Sequence, residues 1–552
     1  MGTDRFPTMN PSPRGQRRMI YVSDPGSIAI MHLPDPVTEE DLRSWINQLA
    51  DSGMDTFVQE IFHQGWTTYW RSAHFEYDPR EYYSRFDVLL DAGIQPIEVL
   101  IDQCHRRNME FVAGIRVNDN HGHISIAQGF GSGSTFITEN PQWHIQESDG
   151  DVGKKISTVM DFSHRQVRDY VSSVAFHLLD GFDVDGIELA FRDKAYFVES
   201  TERSNEPLMT EFIKSVSDTV AKFSKSKRRS DLILGVRVYP TLELCHELGL
   251  DVETWITGEL IDYVAPSDTM YTSINESIEE FSSLTSRTRC LLYPAIMPHS
   301  SARRIRFLDS QPLNLEQNRA AAQNFYCAGA DGLSIFNHMW AIEWAPFYPM
   351  ALYELNELRD PEKVNAGMKH YLFEPMTAGQ AMYDAGYTSK GRSKDQRIVL
   401  SASESCPTGK FRFRFCENSD NVKYSSLLFR AYNMSGIDEV EVVLNGKAIN
   451  PSDLKRRGPK RLVNDIQKGW YVDYEKRIDL KSGVDKSSHS TLGLSPIPYI
   501  PETFVTFWFE LNADLVTFGD NFLEVLLLSG DNLRDKDIII DEIEIKVIPE
   551  IP

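Results

Sequence analysis

The sequence predicts an α/β fold, a (β/α)8 TIM barrel, followed by an all-β sandwich or jelly-roll domain. Three observations predict it. Between residue 19 and about residue 358, eight short apolar runs alternate with eight segments whose apolar residues recur at helical spacing. Acidic and polar residues stand at or near the far ends of several of those runs, where a parallel barrel presents its chemistry. Beyond about residue 375 the texture changes to short alternating runs such as 411–415 (FRFRF) and 538–545 (IIIDEIEI), and Asn445-Gly446 is a hairpin signal.

Taken in order, residues 1–18 are polar and carry no apolar core, which predicts a disordered arm. Residues 19–24 read as the first strand. A helix starting near Thr38 puts Leu42, Trp45, Ile46 and Leu49 on one face. Residues 55–62 are strand two, followed by an aromatic loop holding Trp66, Tyr69 and Trp70. A helix over 97–107 leads to strand three at 110–118, and a long loop runs from Asp119 to about residue 157. Loops of that length in a compact domain are usually functional. Ser163 and Gln166 form a capping box for the next helix, which carries Val167, Val171, Val174 and Leu178 at helical spacing. It delivers the chain to strand four. A helix over 207–225, strands at 232–239, 260–266 and 290–296, helices over 274–285 and 314–328, a strand at 333–337 and a last helix near 345–358 complete the barrel. The expected division is an arm over 1–18, a barrel over 19–374 and a sandwich over 375–552. The basic stretch 455–461 (KRRGPKR) reads as a solvated insertion in the sandwich.

The totals narrow the function. A chain of 552 residues exceeds one compact core, and 41% hydrophobic with 25% charged residues is an ordinary globular composition. A net charge of −23 argues against nucleic acid or anionic membrane as partner. No run of 18 apolar residues exists and no signal peptide is visible, so a cytoplasmic protein is expected. The six cysteines form no CxxC pair and read as buried free thiols, with Cys406 and Cys416 able to bridge in an oxidising compartment. Neither GxGxxG nor GxxxxGK[ST] opens a helix, so no nucleotide site and no cofactor are expected. The run 118–123 (NDNHGH) supplies a His/Asp cluster, but no second His/Glu pair at ligand spacing accompanies it, so no metal is assigned. A homo-oligomer is compatible with everything above.

The stretch 184–193 (VDGIELAFRD) organises the rest. Asp185 before Gly186 reads as turn chemistry at a strand entrance. Glu188 stands in the apolar middle of the strand, and an acid there must be paired or useful. Period-two alternation puts Glu188, Ala190 and Arg192 on one face. This string resembles the family-10-like glycosyl hydrolase barrels of bacteria, as do 235–255 (GVRVYPTLELCHELGLDVETW) and 261–267 (IDYVAPS). The resemblance covers about residues 19–358. It implies a barrel acting on carbohydrate, and the sandwich is similar to accessory β domains appended to such barrels. Strand four is also similar to the chitinase-like D-G-x-D-x-D-x-E pattern in its opening, where Asp185 and Glu188 fall on the first two acidic positions. Ala190 and Arg192 replace the last two, so substrate-assisted chemistry is not implied. Residues 291–297 (LLYPAIM) lack the strand-seven glutamate of retaining barrel glycosidases.

Glycoside cleavage needs a proton donor and a second carboxylate as nucleophile or base. Glu188 is the first candidate and Asp268, just past strand six, its partner; strand-four and strand-six acids are the arrangement of the α-galactosidase-like barrels. Glu60, at the end of strand two, is the third, with pairing to Arg116 as its alternative. Arg116 and Arg237 lie inside apolar strands and either join a buried ion network or bind an anionic sugar group. Asn118, Arg192, Tyr239, His299, Asn337 and His338 occupy strand ends as partners for sugar hydroxyls, and Trp66, Trp70, Tyr271 and Trp340 are rings able to stack on pyranose faces. The expected function is glycoside hydrolysis of a carbohydrate, an anionic one included. The alternatives are a lyase or isomerase of sugar acids and a carbohydrate-binding protein without chemistry.

Overall fold

The structure, a computed structural model, describes residues 19–24, 26, 33–119, 133–145, 159–191, 196–197, 205–226, 232–268, 272, 274–276, 278–300, 311–338, 349–373, 397–418, 421–461, 503–530 and 536–550. The expected arm over 1–18 lies outside them.

The barrel strands are β1 (Met19–Ser23), β2 (Thr56–Phe62), β3 (Glu110–Arg116), β4 (Gly186–Ala190), β5 (Ile233–Val238), β6 (Tyr263–Pro266), β7 (Leu291–Leu292) and β8 (Leu333–Phe336). They pair in parallel in the order 7-6-5-4-3-2-1-8. Closure falls on one stretch of chain. Leu291 and Leu292 pair with β6, whereas Ala295 and Ile296, three residues further on, pair with β8. Pro294 lies between the two halves; it has no N–H to give the ladder, and the strand passes from one neighbour to the other there. The (β/α)8 barrel read from the sequence is therefore present, with a compact all-β region after it.

The helices form where the apolar spacing put them. Thr38 caps the helix Glu39–Asp51 in a reciprocal capping box with Asp41, and Leu42, Trp45, Ile46 and Leu49 are its buried face. The helix Leu315–Cys327 opens in the same way on Asn314 and Gln317. The box expected at Ser163 and Gln166 does not form. The helix there is Arg165–Gly181, with His164 as N-cap and no side-chain cap bond. Asp161 Oδ1 accepts the Ser163 N–H at 2.8 Å, so an aspartate turn sets the entry and the helix begins one residue late. Among the described residues no helix is long and apolar enough to cross a membrane.

At the N-terminal end of the barrel one device repeats four times. Asp55 accepts from Met19 N at 3.0 Å, Asp185 from Phe111 N at 2.7 Å, Asp262 from Leu234 N at 2.8 Å and Asp331 from Leu292 N at 2.9 Å. Each aspartate precedes an even-numbered strand and accepts an N–H from the first or second residue of the odd strand beside it, a donor that burial would otherwise leave unpaired. Asp185 thus has the structural role that turn chemistry suggested, and His105 Nε2 lies 2.9 Å from it on the other side.

After the barrel helices, Lys369–Phe373 pairs antiparallel with Ile538–Pro549, which pairs in turn with Val422–Tyr432. A second sheet holds Thr408–Phe415, Gly519–Ser529 and Glu439–Leu444. Strands of both sheets alternate buried with more open residues in the manner of a sandwich. The boundary read at residue 374 left 369–373 with the barrel, whereas the ladder puts this strand in the sandwich. The basic run is also not a loop: Lys455–Arg461 is a strand paired with Thr503–Glu510 at the sheet's edge. Lys455, Arg456 and Arg457 are exposed, and positive charge on an outermost strand discourages further pairing.

Candidate active site

Inward-facing positions follow from register. Glu60 on β2 is level with Gly114 on β3, Glu188 on β4, Gly235 on β5 and Tyr263 on β6. One level nearer the mouth come Arg116, Ala190, Arg237 and Ala265. Large and small side chains therefore alternate around each level, so polar groups from distant strands can meet inside a closed sheet.

Glu188 is fully buried, at 0% exposure. Arg237 Nε donates to its Oε1 at 3.1 Å and Arg237 Nη2 to its Oε2 at 3.4 Å, while the Tyr263 hydroxyl donates to Oε2 at 2.7 Å. Arg237 Nη2 also donates to Ser334 Oγ at 2.7 Å, and the guanidinium lies 5.8 Å from the centre of the Phe336 ring. Its Nη1 is buried without a hydrogen-bond partner among the described residues.

A second cluster gathers on Arg116, which is 1% exposed. Its three nitrogens reach three carboxylates, Glu60 Oε2, Asp119 Oδ2 and Asp24 Oδ2, each at 2.6 Å. A planar guanidinium is suited to this fan of acceptors, which a lysine could not match. Asp24 is oriented in turn by its own backbone N–H, which donates to Asn337 Oδ1 at 2.8 Å. Asn337 takes a positive φ of 42° directly after β8, a conformation its short amide tolerates better than most side chains.

His63, one residue past β2, is buried and stacks obliquely on Tyr83. Burial, which penalises the imidazolium, lowers its pKa to about 4, with Asp78 pulling upward and Arg80 downward. The imidazole is therefore neutral near pH 7, and its 4.0 Å approach to Asp78 is neither a salt bridge nor a hydrogen bond. Burial would raise the Asp78 carboxyl, but hydrogen bonds from Arg80 hold it below the usual carboxylate range.

The residues singled out from sequence divide into groups. Glu188 and Arg237 meet, as do Glu60 and Arg116, each pair as part of an ion network. Asp268 stands just past β6, buried, with Ser267 Oγ donating to its backbone oxygen at 2.8 Å. Tyr239, Asn337 and His338 are buried at the ends of β5 and β8. Asn118 is engaged with the backbone: it accepts from Met160 N at 3.2 Å and donates to Met160 O at 2.9 Å, in effect standing in for a neighbouring strand. Trp66 and Trp70 are core and not stacking platforms. Trp66 packs against the stacked pair Phe136 and Tyr170 at 5.8 and 5.6 Å, and Trp70 sits edge-on to Phe75 and Phe182. In so aromatic a loop the rings bury one another before any can be offered to a ligand. Arg192, Tyr271, Trp340, His121 and His123, and the side chain of His299, lie outside the described residues.

Sequence reasoning missed Asp24, Tyr263, Ser334 and His63. Gly235 was a usable signal for Tyr263, because a glycine inside an apolar strand marks a close approach by something else. A Cβ at position 235 would lie 2.0 Å from Tyr263 Cζ.

No curated protein matches the chain. Among solved structures it is similar to a cycloisomaltooligosaccharide glucanotransferase from Paenibacillus sp. complexed with cycloisomaltoheptaose, at 13% identity and TM-score 0.34, covering 93% of this chain and 57% of that one. It is also similar to α-L-fucosidase isoenzyme 2 from Paenibacillus thiaminolyticus, at 13% identity and TM-score 0.38, covering 64% and 49%. A third is the α-amylase from Geobacillus thermoleovorans complexed with acarbose, at 12% identity and TM-score 0.38, covering 92% and 98%. The chain spans about half the length of the first two. The stretches that carried the resemblance beyond residue 225 fall outside the family match that follows. Residues 18–225, which run from β1 through β4 and its following helix, match the glycosyl hydrolase-like 10 family.

Proposed function

We propose that the protein is a glycoside hydrolase that works in the mouth of the barrel, with Glu188 and Asp268 as its two carboxylates. The observation that carries this reading is a buried acid on β4, inside the stretch that matches a glycosyl hydrolase-like family, with two donors aimed at its oxygens. Such donors suit a carboxylate that acts as nucleophile or charge stabiliser; a proton donor would be served poorly by them. Asp268, past the end of β6 and so nearer the rim, is assigned proton transfer. The remaining nitrogen of Arg237, with Tyr239, Asn337 and His338, is assigned to oxygens of the sugar. Glu60 leaves the catalytic set: its carboxylate grips Arg116, and its role is to hold that cluster together.

The test is hydrolysis of a panel of neutral, uronate and sulfated oligosaccharides by wild type, Glu188→Gln and Asp268→Asn. Each variant is expected to lose about three orders of magnitude in kcat, the scale of removing a nucleophile or a general acid. Wild-type rates in Glu188→Gln would overturn the assignment.

The complete burial of Glu188 favours one second reading, a barrel that binds carbohydrate without cleaving it. Calorimetric binding of a panel member, with no product after prolonged incubation of wild type, would establish that reading in place of the first.

A further inference from the structure

Helix Leu315–Cys327 follows β7 and ends on Cys327, and strand Thr408–Phe415 of the sandwich is followed by Cys416. The two cysteines are 89 positions apart in sequence, yet Cys327 Sγ lies 3.8 Å from the backbone oxygen of Cys416. The bridge considered from sequence, Cys406 with Cys416, is absent: both thiols are free, and Cys406 is exposed whereas Cys416 is buried.

The surroundings hold this pair in place. Gln323 Nε2, one turn back on the helix, donates to Cys416 O at 2.8 Å, and Asn324 Nδ2 donates to Arg414 O at 3.1 Å. Glu417 accepts from the Tyr371 hydroxyl at 2.6 Å and lies 3.4 Å from Lys369 Nζ. Positions 414, 416 and 417 are therefore each fastened, which holds the Cys416 backbone against the Cys327 end of the helix by construction and not by chance collision.

We propose that Cys327 and Cys416 are an oxidation site, closing to a disulfide that ties the helix after β7 to the sandwich, with hydrogen peroxide as oxidant. The hydrogen bond with Cys416 raises the Cys327 thiol, which keeps the proton. The same bond, helped by the Arg414 guanidinium, lowers Cys416 toward its thiolate against the opposing effect of burial. The Cys416 thiolate attacks one peroxide oxygen, the O–O bond breaks, and the departing hydroxide takes a proton to become water. The Cys327 sulfur then attacks the Cys416 sulfenic acid. The S–S bond forms, the S–O bond breaks, and the hydroxyl leaves as a second water with the Cys327 proton. Two thiols lose two electrons and one peroxide gains them. Cys327 is partly exposed, which opens the pair to a small oxidant. The thiols of Cys104 and Cys245 are raised by burial and stay inert.

The experiment treats the full chain with a small excess of peroxide under native conditions, alkylates the remaining thiols and maps disulfides by mass spectrometry without reduction. Peptides containing Cys327 and Cys416 are expected joined, lighter by two hydrogens than their sum. Dithiothreitol should release them, and the thermal midpoint should rise by a few degrees in the oxidised form. Cys327→Ser, partly exposed and so the variant expected to fold, should lose the cross-link while Cys406 oxidises as before. Recovery of both residues alkylated, or a cross-link that forms only in denaturant, would overturn the proposal.

Discussion

Tyr263 donates its phenolic hydrogen to Glu188 Oε2 at 2.7 Å although a whole strand stands between them. Its ring crosses β5 at the one position without a side chain, Gly235. The buried acid on which the proposed chemistry rests is therefore held partly by an absence on the strand between them, at the glycine that pairs with both Tyr263 and Glu188.

Gly235→Ala is expected to displace Tyr263 from Glu188, because the new methyl would overlap the ring. Overpacking of this kind costs about 1–3 kcal/mol. Urea unfolding should show that loss, and turnover should fall in the same variant. Tyr263→Phe should lower turnover too, without the steric component, so equal unfolding losses in the two would refute the account.

Arg116 holds three carboxylates in a nearly dry environment. Removing one partner of a buried ion cluster costs about 3–5 kcal/mol, because the charges left behind lose their compensation. Arg116→Ala should unfold at correspondingly lower denaturant concentration. Arg116→Lys, with a single nitrogen, should recover only part of the loss. A midpoint unchanged in the alanine variant would contradict the cluster.

His63 gives the barrel a pH dependence of known sign. Its pKa is lowered from 6.5 to about 4 by burial, so the unfolded chain binds a proton in that window and the folded chain does not. Its contribution is complete above pH 6.5 and is lost progressively as pH falls toward 4. At about 1.4 kcal/mol per unit this amounts to about 3 kcal/mol. Urea midpoints of wild type and His63→Gln, compared at pH 7 and pH 4.5, should show a shallower decline in the variant. Parallel declines would remove His63 as the cause.

The barrel was legible because its signal is repetitive: apolar runs and helical spacing recur, and errors at one element leave the alternation intact. Thr38, Leu42 and Trp45 show how directly a cap and a stripe translate into a helix. Glu188, Arg237, Glu60 and Arg116 were legible as buried charges needing partners, since isolated charge in an apolar strand admits few outcomes. Glu60 with Arg116 was legible as one of two outcomes; Glu188 with Arg237 was not, because that pairing depends on which strands are neighbours. Trp66 and Trp70 could be read either way for a related reason: an aromatic ring has the same composition signature whether it faces sugar or another ring, and the packing reading is the one their burial bears out. The strand at 369–373 was assigned to the wrong unit because its hydrogen-bond partner is about 170 residues further on, and local pattern carries no trace of a ladder that distant.

The four aspartates at the barrel's N-terminal end have one more consequence. They anchor the cylinder from its floor, at the opposite end of the strands from the residues proposed to meet substrate. Changes at the rim, at positions such as Ala190, leave that foundation untouched. A scaffold bolted at its base can change its trade upstairs without falling down, which is why the architecture of this chain is so much plainer than its reaction.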